Sequence, residues 1–150
     1  MKEKTQDKTS LEIVRFINVP TDRVYDAWTD PAQLRLWFGP EQVRTRNITA
    51  DVRVGGKYRW DLTSPEGEEM SAFGEYKELL PGKRIVFTWQ WADDEAWENH
   101  TSVVTVEFVE SRGGTELRLK HEQLPSEESR DCHNEGWNSV LERLDRFISK

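Results

Sequence analysis

The sequence predicts an α+β fold: a curved antiparallel sheet of about seven strands wrapped around one long C-terminal helix, with two short helices after the first strand. Three observations lead there. Beyond Gly39-Pro40 the apolar residues recur with period two, in segments divided by turn residues. Near the C-terminus the spacing changes to that of a helix. No Gly/Ser-rich or Pro-rich linker separates the two regions, so the apolar face of the sheet and the apolar stripe of the helix cover each other.

Residues 1–10 are polar and charged with nothing to bury, which predicts a mobile tail followed by one domain over residues 11–150. The first strand reads as 11–19, stopped by Pro20. Thr21 is placed to cap a short helix with Val24, Ala27 and Trp28 on one face. Asp30-Pro31 is a cap followed by proline at the first helical position, opening a second short helix that presents Leu34, Trp37 and Phe38. Period-two segments follow at 43–52, 57–63, 70–80, 84–91, 102–110 and 115–123. Gly55-Gly56, Ser64-Pro65-Glu66-Gly67, Pro81-Gly82 and Arg112-Gly113-Gly114 punctuate them. Such short connections make neighbours antiparallel. Parity puts Tyr58, Trp60 and Leu62 on one face, with Ile85, Phe87, Trp89 and Trp91, then Val104, Val106 and Phe108, then Leu117, Leu119 and His121. From Pro125-Ser126 to about Ser149, Trp137, Val140, Leu141, Leu144, Phe147 and Ile148 form an amphipathic stripe.

Composition narrows the function. Counting glycine as apolar brings the apolar fraction of the 150 residues to about 41%, below the roughly 45–50% of ordinary domains. Seven tryptophans compensate, because each buried aromatic removes roughly 150–250 Å² from water. The net charge of −7 argues against nucleic acid or an anionic membrane as main partner. No apolar run is long enough for membrane insertion and the first residues lack a signal-peptide core, so a cytoplasmic location is expected. Two glycosylation triplets, at Asn47 and Asn99, then carry no weight. The lone Cys132 excludes an internal disulfide. No metal-ligand spacing, nucleophile elbow or phosphate loop occurs, so no metal, cofactor or catalytic residue is assigned.

The order of motifs resembles the helix-grip START-like superfamily, also called SRPBCC or Bet v 1-like. Within it the chain is similar to stand-alone homologues of the C-terminal domain family of the activator of heat-shock protein 90 ATPase. The matching residues are Val19-Pro20, Val24-Tyr25, Ala27-Trp28-Thr29-Asp30-Pro31, Leu34 and Trp37-Phe38-Gly39-Pro40. Gly55-Gly56-Lys57-Tyr58, Gly67, Gly74-Glu75-Tyr76, Leu80-Pro81-Gly82 and Phe87-Thr88-Trp89 follow. Gly114-Thr115, Leu117, Leu119, His121, Gly136-Trp137, Leu141 and Leu144 complete a match over about residues 11–148. The resemblance implies an elongated cavity between sheet and long helix that accepts a hydrophobic small molecule. It does not imply one activity, because the superfamily includes lipid carriers, hormone receptors and polyketide cyclases.

Candidate ligand-binding residues are those that face the gap: Trp28, Trp37, Trp60, Phe87, Trp89, Trp91, His121, His133, Trp137 and Leu141. Any one of these rings can simply fill the core; Trp89, Trp91 and Trp137 together are the best candidates for a cavity wall. Gly136 sits inside a helix, where it costs about 1 kcal/mol against alanine, and close helix–sheet packing is the expected reason. His121 lies on an inward parity and His133 four residues before Trp137. Each reads as a histidine satisfied by a neighbour at the cavity rim, with acid/base chemistry as the alternative. Arg15 is placed either outward or inward as an anchor for a ligand carboxylate. The acidic segment 93–98 reads as a solvated hairpin loop, with a lid carrying Trp97 or a docking loop for a basic partner as alternatives.

The function expected is binding of a hydrophobic or aromatic small molecule without catalysis. A cyclase or dehydratase using His121 or His133 ranks behind it. So does a co-chaperone stimulating heat-shock protein 90 ATPase, because no additional N-terminal domain accompanies the motifs; a chaperone partner is not expected. An exposed strand edge is compatible with a homodimer.

Overall fold

The computed structural model describes residues 8–40 and 42–149. Strand β1 (Leu11–Ile17) leads into helices α1 (Thr21–Thr29) and α2 (Pro31–Trp37). Six strands follow: β2 (Arg44–Ala50), β3 (Lys57–Thr63), β4 (Glu69–Leu80), β5 (Arg84–Trp91), β6 (Ser102–Ser111) and β7 (Gly114–Glu122). A one-turn 3-10 helix, Glu95–Trp97, lies between β5 and β6, and helix α3 (Glu127–Ile148) ends the chain. The seven strands form one sheet in the order β1-β7-β6-β5-β4-β3-β2, every pairing antiparallel. The expected α+β helix-grip architecture is the observed one.

Differences at the ends of elements have local causes. Strand β1 stops two residues early because Asn18 and Val19 leave the ladder; the Val19 amide bonds to Ile17 O and its carbonyl accepts from Thr115 Oγ1 at 2.7 Å. Thr21 does not cap α1: Pro20 occupies the cap position and no side-chain oxygen satisfies the first amides. Asp30 does cap α2, accepting from the Ala32 amide at 3.0 Å with Pro31 at the first turn. Ser126 caps α3 through the Ser129 amide, also at 3.0 Å. Residues 1–7 of the expected tail lie outside the described residues, and the Thr9 carbonyl accepts from the Leu124 amide.

The sheet bends at β4. An added Cβ on Gly74 would stand 2.0 Å from the Thr88 carbonyl oxygen, so only glycine lets β4 approach β5 there. A register shift between Tyr76 and Glu78 adds a bulge beside it, and bulges increase local twist. The resulting concave face is apolar: Trp60, Leu62, Ile85, Phe87, Trp89, Val104, Val106, Leu117 and Leu119 are buried. Against it α3 buries Trp137, Val140, Leu141, Leu144 and Ile148. Arg143 ties the second half of α3 to the loop after α2, its Nη1 donating to Gly39 O at 3.0 Å and Pro40 O at 3.3 Å.

Arg15 takes the inward parity of Leu11 and Ile17 but meets protein. Its guanidinium donates to Asp145 of α3 at 3.1 Å, so the carboxylate it anchors belongs to the chain itself. Leu144, fully buried in the same interface, is the cleanest probe of helix–sheet packing. Leu144→Ala is expected to destabilise the fold by about 2–5 kcal/mol, and Asp30→Ala by about 1 kcal/mol through the lost cap. Both values are read from urea denaturation midpoints at constant m.

Candidate functional site

A cavity of about 530 Å³ opens between the concave face and the first half of α3. Strands β3, β4 and β5 contribute Trp60, Leu62, Met70, Trp89 and Trp91 to its wall. Helix α3 contributes His133, Gly136, Trp137 and Val140, and the loop after α2 contributes Phe38, Pro40 and Val43. The rim is polar, with Ser64, Asp94, Ser126, Glu128, Ser129 and Cys132. A second void of about 30 Å³, lined by Trp28, Leu34, Phe38, Tyr58, Trp60 and Phe87 among others, has room for a water or two.

The sequence-predicted residues therefore divide. Trp60, Trp89, Trp91, His133 and Trp137 border the large cavity. Trp28 and Phe87 border only the small void. Trp37, Leu141 and His121 border neither; Trp37 is locked by its Nε1 donating to Ala27 O at 3.0 Å and by an edge contact with Trp28, ring centroids 5.0 Å apart. The wall rings meet at steep angles, Trp89 and Trp91 at 88° and Trp89 and Trp137 at 53°, with centroids 5.6 and 5.3 Å apart. The indole N–H of Trp89 is buried and has no hydrogen-bond partner.

Two expectations do not hold in full here. Segment 93–98 is solvated at Asp93, Asp94, Glu95, Ala96 and Glu98 but not at Trp97. Trp97 is 3% exposed, joins the cavity wall and lies against His133 with centroids 5.6 Å apart. Asp93 and Asn99, the residue types that best tolerate it, take left-handed φ values of 57° and 58° at either end of the fold-back. Asp94 caps the turn through the Ala96 amide, and Gln90 Nε2 donates to Trp97 O at 3.0 Å. Trp97 thus joins the wall while the rest of the segment faces solvent. Gly136 is not packed tightly either: the nearest atom an added Cβ would meet is Pro40 Cγ at 3.9 Å. The missing side chain leaves open volume.

His121 and His133 are both fully engaged. Trp137 Nε1 donates to His121 Nδ1 at 3.0 Å, which leaves His121 Nε2–H to donate to Ser102 Oγ at 2.7 Å. The Ser102 hydroxyl in turn donates to Trp89 O at 2.9 Å. Trp91 Nε1 donates to His133 Nε2 at 3.0 Å, and His133 Nδ1–H donates to Ser129 O at 2.8 Å. Each ring is thus a defined neutral tautomer, with no nitrogen left for a substrate proton. Burial holds the pKa of His121 well below the usual histidine range, helped by neighbouring His133, and burial lowers His133 also against the opposing bond to Ser129 O. Among the described residues no group of three or more His, Cys, Asp or Glu side chains is arranged to hold a metal ion.

The linkage sign follows from these depressed values. In the unfolded chain each histidine takes up a proton near pH 6.5, while the folded chain resists it. Stability is therefore whole above about pH 6.5 and falls as pH drops below it, by up to about 1.4 kcal/mol per pH unit for each such histidine. His121→Gln keeps an acceptor for Trp137 and a donor for Ser102 without a titrating ring. Denaturation curves between pH 7.5 and 5 are expected to show a shallower acid loss for this variant than for the parent, the range bracketing about 6.5.

Comparison with known proteins places the chain. The family described as Activator of Hsp90 ATPase homolog 1-like protein matches residues 18–149. Human Activator of 90 kDa heat shock protein ATPase homolog 1 is 32% identical over 65 residues, 43% of this chain and 18% of that protein. The mouse counterpart is 31% identical over the same length. The chain thus spans under a fifth of the curated relatives it matches. A crystal structure from Chromobacterium violaceum superposes with a TM-score of 0.84 at 26% identity, covering 95% of this chain and 98% of the other. The AHSA1 protein from Silicibacter pomeroyi gives 0.82 at 27%, covering 93% and 97%. No helix among the described residues is long and apolar enough to cross a membrane. By its matched length and its shared fold, the chain belongs to the Activator of Hsp90 ATPase homolog 1-like family.

Proposed function

We propose that residues 11–150 act as one START-like domain that takes up a hydrophobic or aromatic small molecule in the large cavity, as a binding protein. The observation that carries this reading is open volume in the place richest in large rings. Five tryptophans surround about 530 Å³ without closing it, and small-molecule sites run to about 300–1,000 Å³. Rings serving only as core would interdigitate to crystal-like density. Gly136 supports the same reading, since a helical glycine costing about 1 kcal/mol earns no packing in return. The unpartnered Trp89 N–H offers one buried donor to a ligand acceptor. A cytoplasmic setting fits the free, exposed Cys132.

Acid/base catalysis ranks lower because His121 and His133 have both nitrogens engaged. Stimulation of a heat shock protein ATPase rests on the family description and a stretch amounting to 18% of the human relative. No effect of the purified protein on that ATPase rate would dispose of it.

The glycine gives the test. Gly136→Ala meets only ordinary contact, so it is expected to stabilise the protein by about 1 kcal/mol and leave uptake intact. Gly136→Phe puts a ring into the cavity and is expected to weaken, by at least about tenfold, any ligand retained in native mass spectrometry of the parent. Undiminished retention by the phenylalanine variant would place the ligand elsewhere.

A further inference from the structure

Resting on the reading that the cavity holds a small molecule, we infer that its ligand is a hydrophobic amine, carrying a protonated or quaternary nitrogen at the cavity mouth. The charge inventory of the wall points there. Among the described residues two carboxylates, Asp94 and Glu128, border the cavity, and no lysine or arginine does. They come from separate elements, the turn after β5 and the first turn of α3, so their fields converge on the mouth from two parts of the chain.

Neither carboxylate forms an ion pair among the described residues. Of the acidic residues in the first turn of α3, Glu127 pairs with Arg130 at 3.6 Å and is off the wall. Glu128 is on the wall and forms no ion pair among the described residues. Asp94 also forms none, using Oδ1 for the Ala96 amide. Arg46 and Arg59 border a separate polar groove that also touches Asp94. There their guanidiniums are occupied by Thr63, the Leu62 carbonyl, Asp61 and Ser71.

The remaining wall suits a cation as well. Tryptophan offers the strongest ring face for cation–π attraction, and the attraction grows when the cation is partly desolvated. His133, the one basic side chain on the wall among the described residues, is held neutral by burial and has both nitrogens occupied. An anionic ligand would meet two like charges and no compensating cation, a repulsion that excludes wrong ligands as effectively as contacts select right ones. A neutral hydrophobe would fit the rings and gain nothing from the rim.

Three probes of one shape separate these cases: 2-naphthylmethylamine, 2-naphthylmethanol and 2-naphthoate, measured by equilibrium dialysis near neutral pH at low salt. The ammonium is expected to bind about tenfold tighter than the alcohol, and the naphthoate weaker than the alcohol. In a D94N/E128Q double variant, which keeps the cap acceptor on residue 94, the ammonium-to-alcohol ratio is expected to fall to about twofold or less. Equal binding of all three, or a ratio that survives the double substitution, overturns the amine assignment and leaves the cavity reading standing. Binding of none of the three overturns both.

Discussion

One hydrogen-bonded relay runs from the long helix across the sheet, and the site depends on it. The Trp137 N–H donates to His121, His121 to Ser102, and the Ser102 hydroxyl to the Trp89 carbonyl. It links α3 to β7, β6 and β5 in three steps, and Ser102 and His121 are fully buried while both tryptophans are nearly so. In so dry a place each polar group needs its partner, because orphaning one costs about 1–3 kcal/mol. The relay is satisfied at each link and so sets the distance and rotation of α3 on the sheet. With Trp137 fixed, its ring stands 5.3 Å from that of Trp89, and those two rings define the back of the cavity.

Around that fixed point the cavity owes its shape to atoms that are missing as much as to those present. Gly74 allows the sheet to bend, because any side chain there would strike the Thr88 carbonyl. Gly136 removes one side chain from the helix face that the bend brings opposite β3 and β5. Trp97 then folds back over His133 and closes one flank. The tryptophans thus play two parts. Trp28 and Trp37 are core, stacked edge to face beneath the sheet, while five others are wall.

The histidines show why geometry has to precede chemistry. On type alone they are the best acid/base candidates in the chain. In place, each is the acceptor of one indole N–H and the donor of a second bond, and burial keeps it neutral. They stabilise tryptophan orientation and add no charge to the cavity. Among the described residues, the charge that the cavity does have is at its rim and negative.

The sequence by itself determined the order of elements, the inward parity of β3, β5, β6 and β7, the apolar stripe of α3 and the cap at Asp30. These follow from period, turn chemistry and short-range hydrogen bonds, all of which act within a few residues. Of the six tryptophans that the sequence placed around the gap, Trp60, Trp89, Trp91 and Trp137 border the cavity. Only the tertiary structure decided that Trp97 is buried, that Gly136 faces open volume, that Arg15 is paired with Asp145, and which nitrogen of each histidine has the proton. Each of those depends on which distant elements meet and on how much space they leave between them. Periodicity says which way a side chain points; only the packed chain says whether anything is there to meet it.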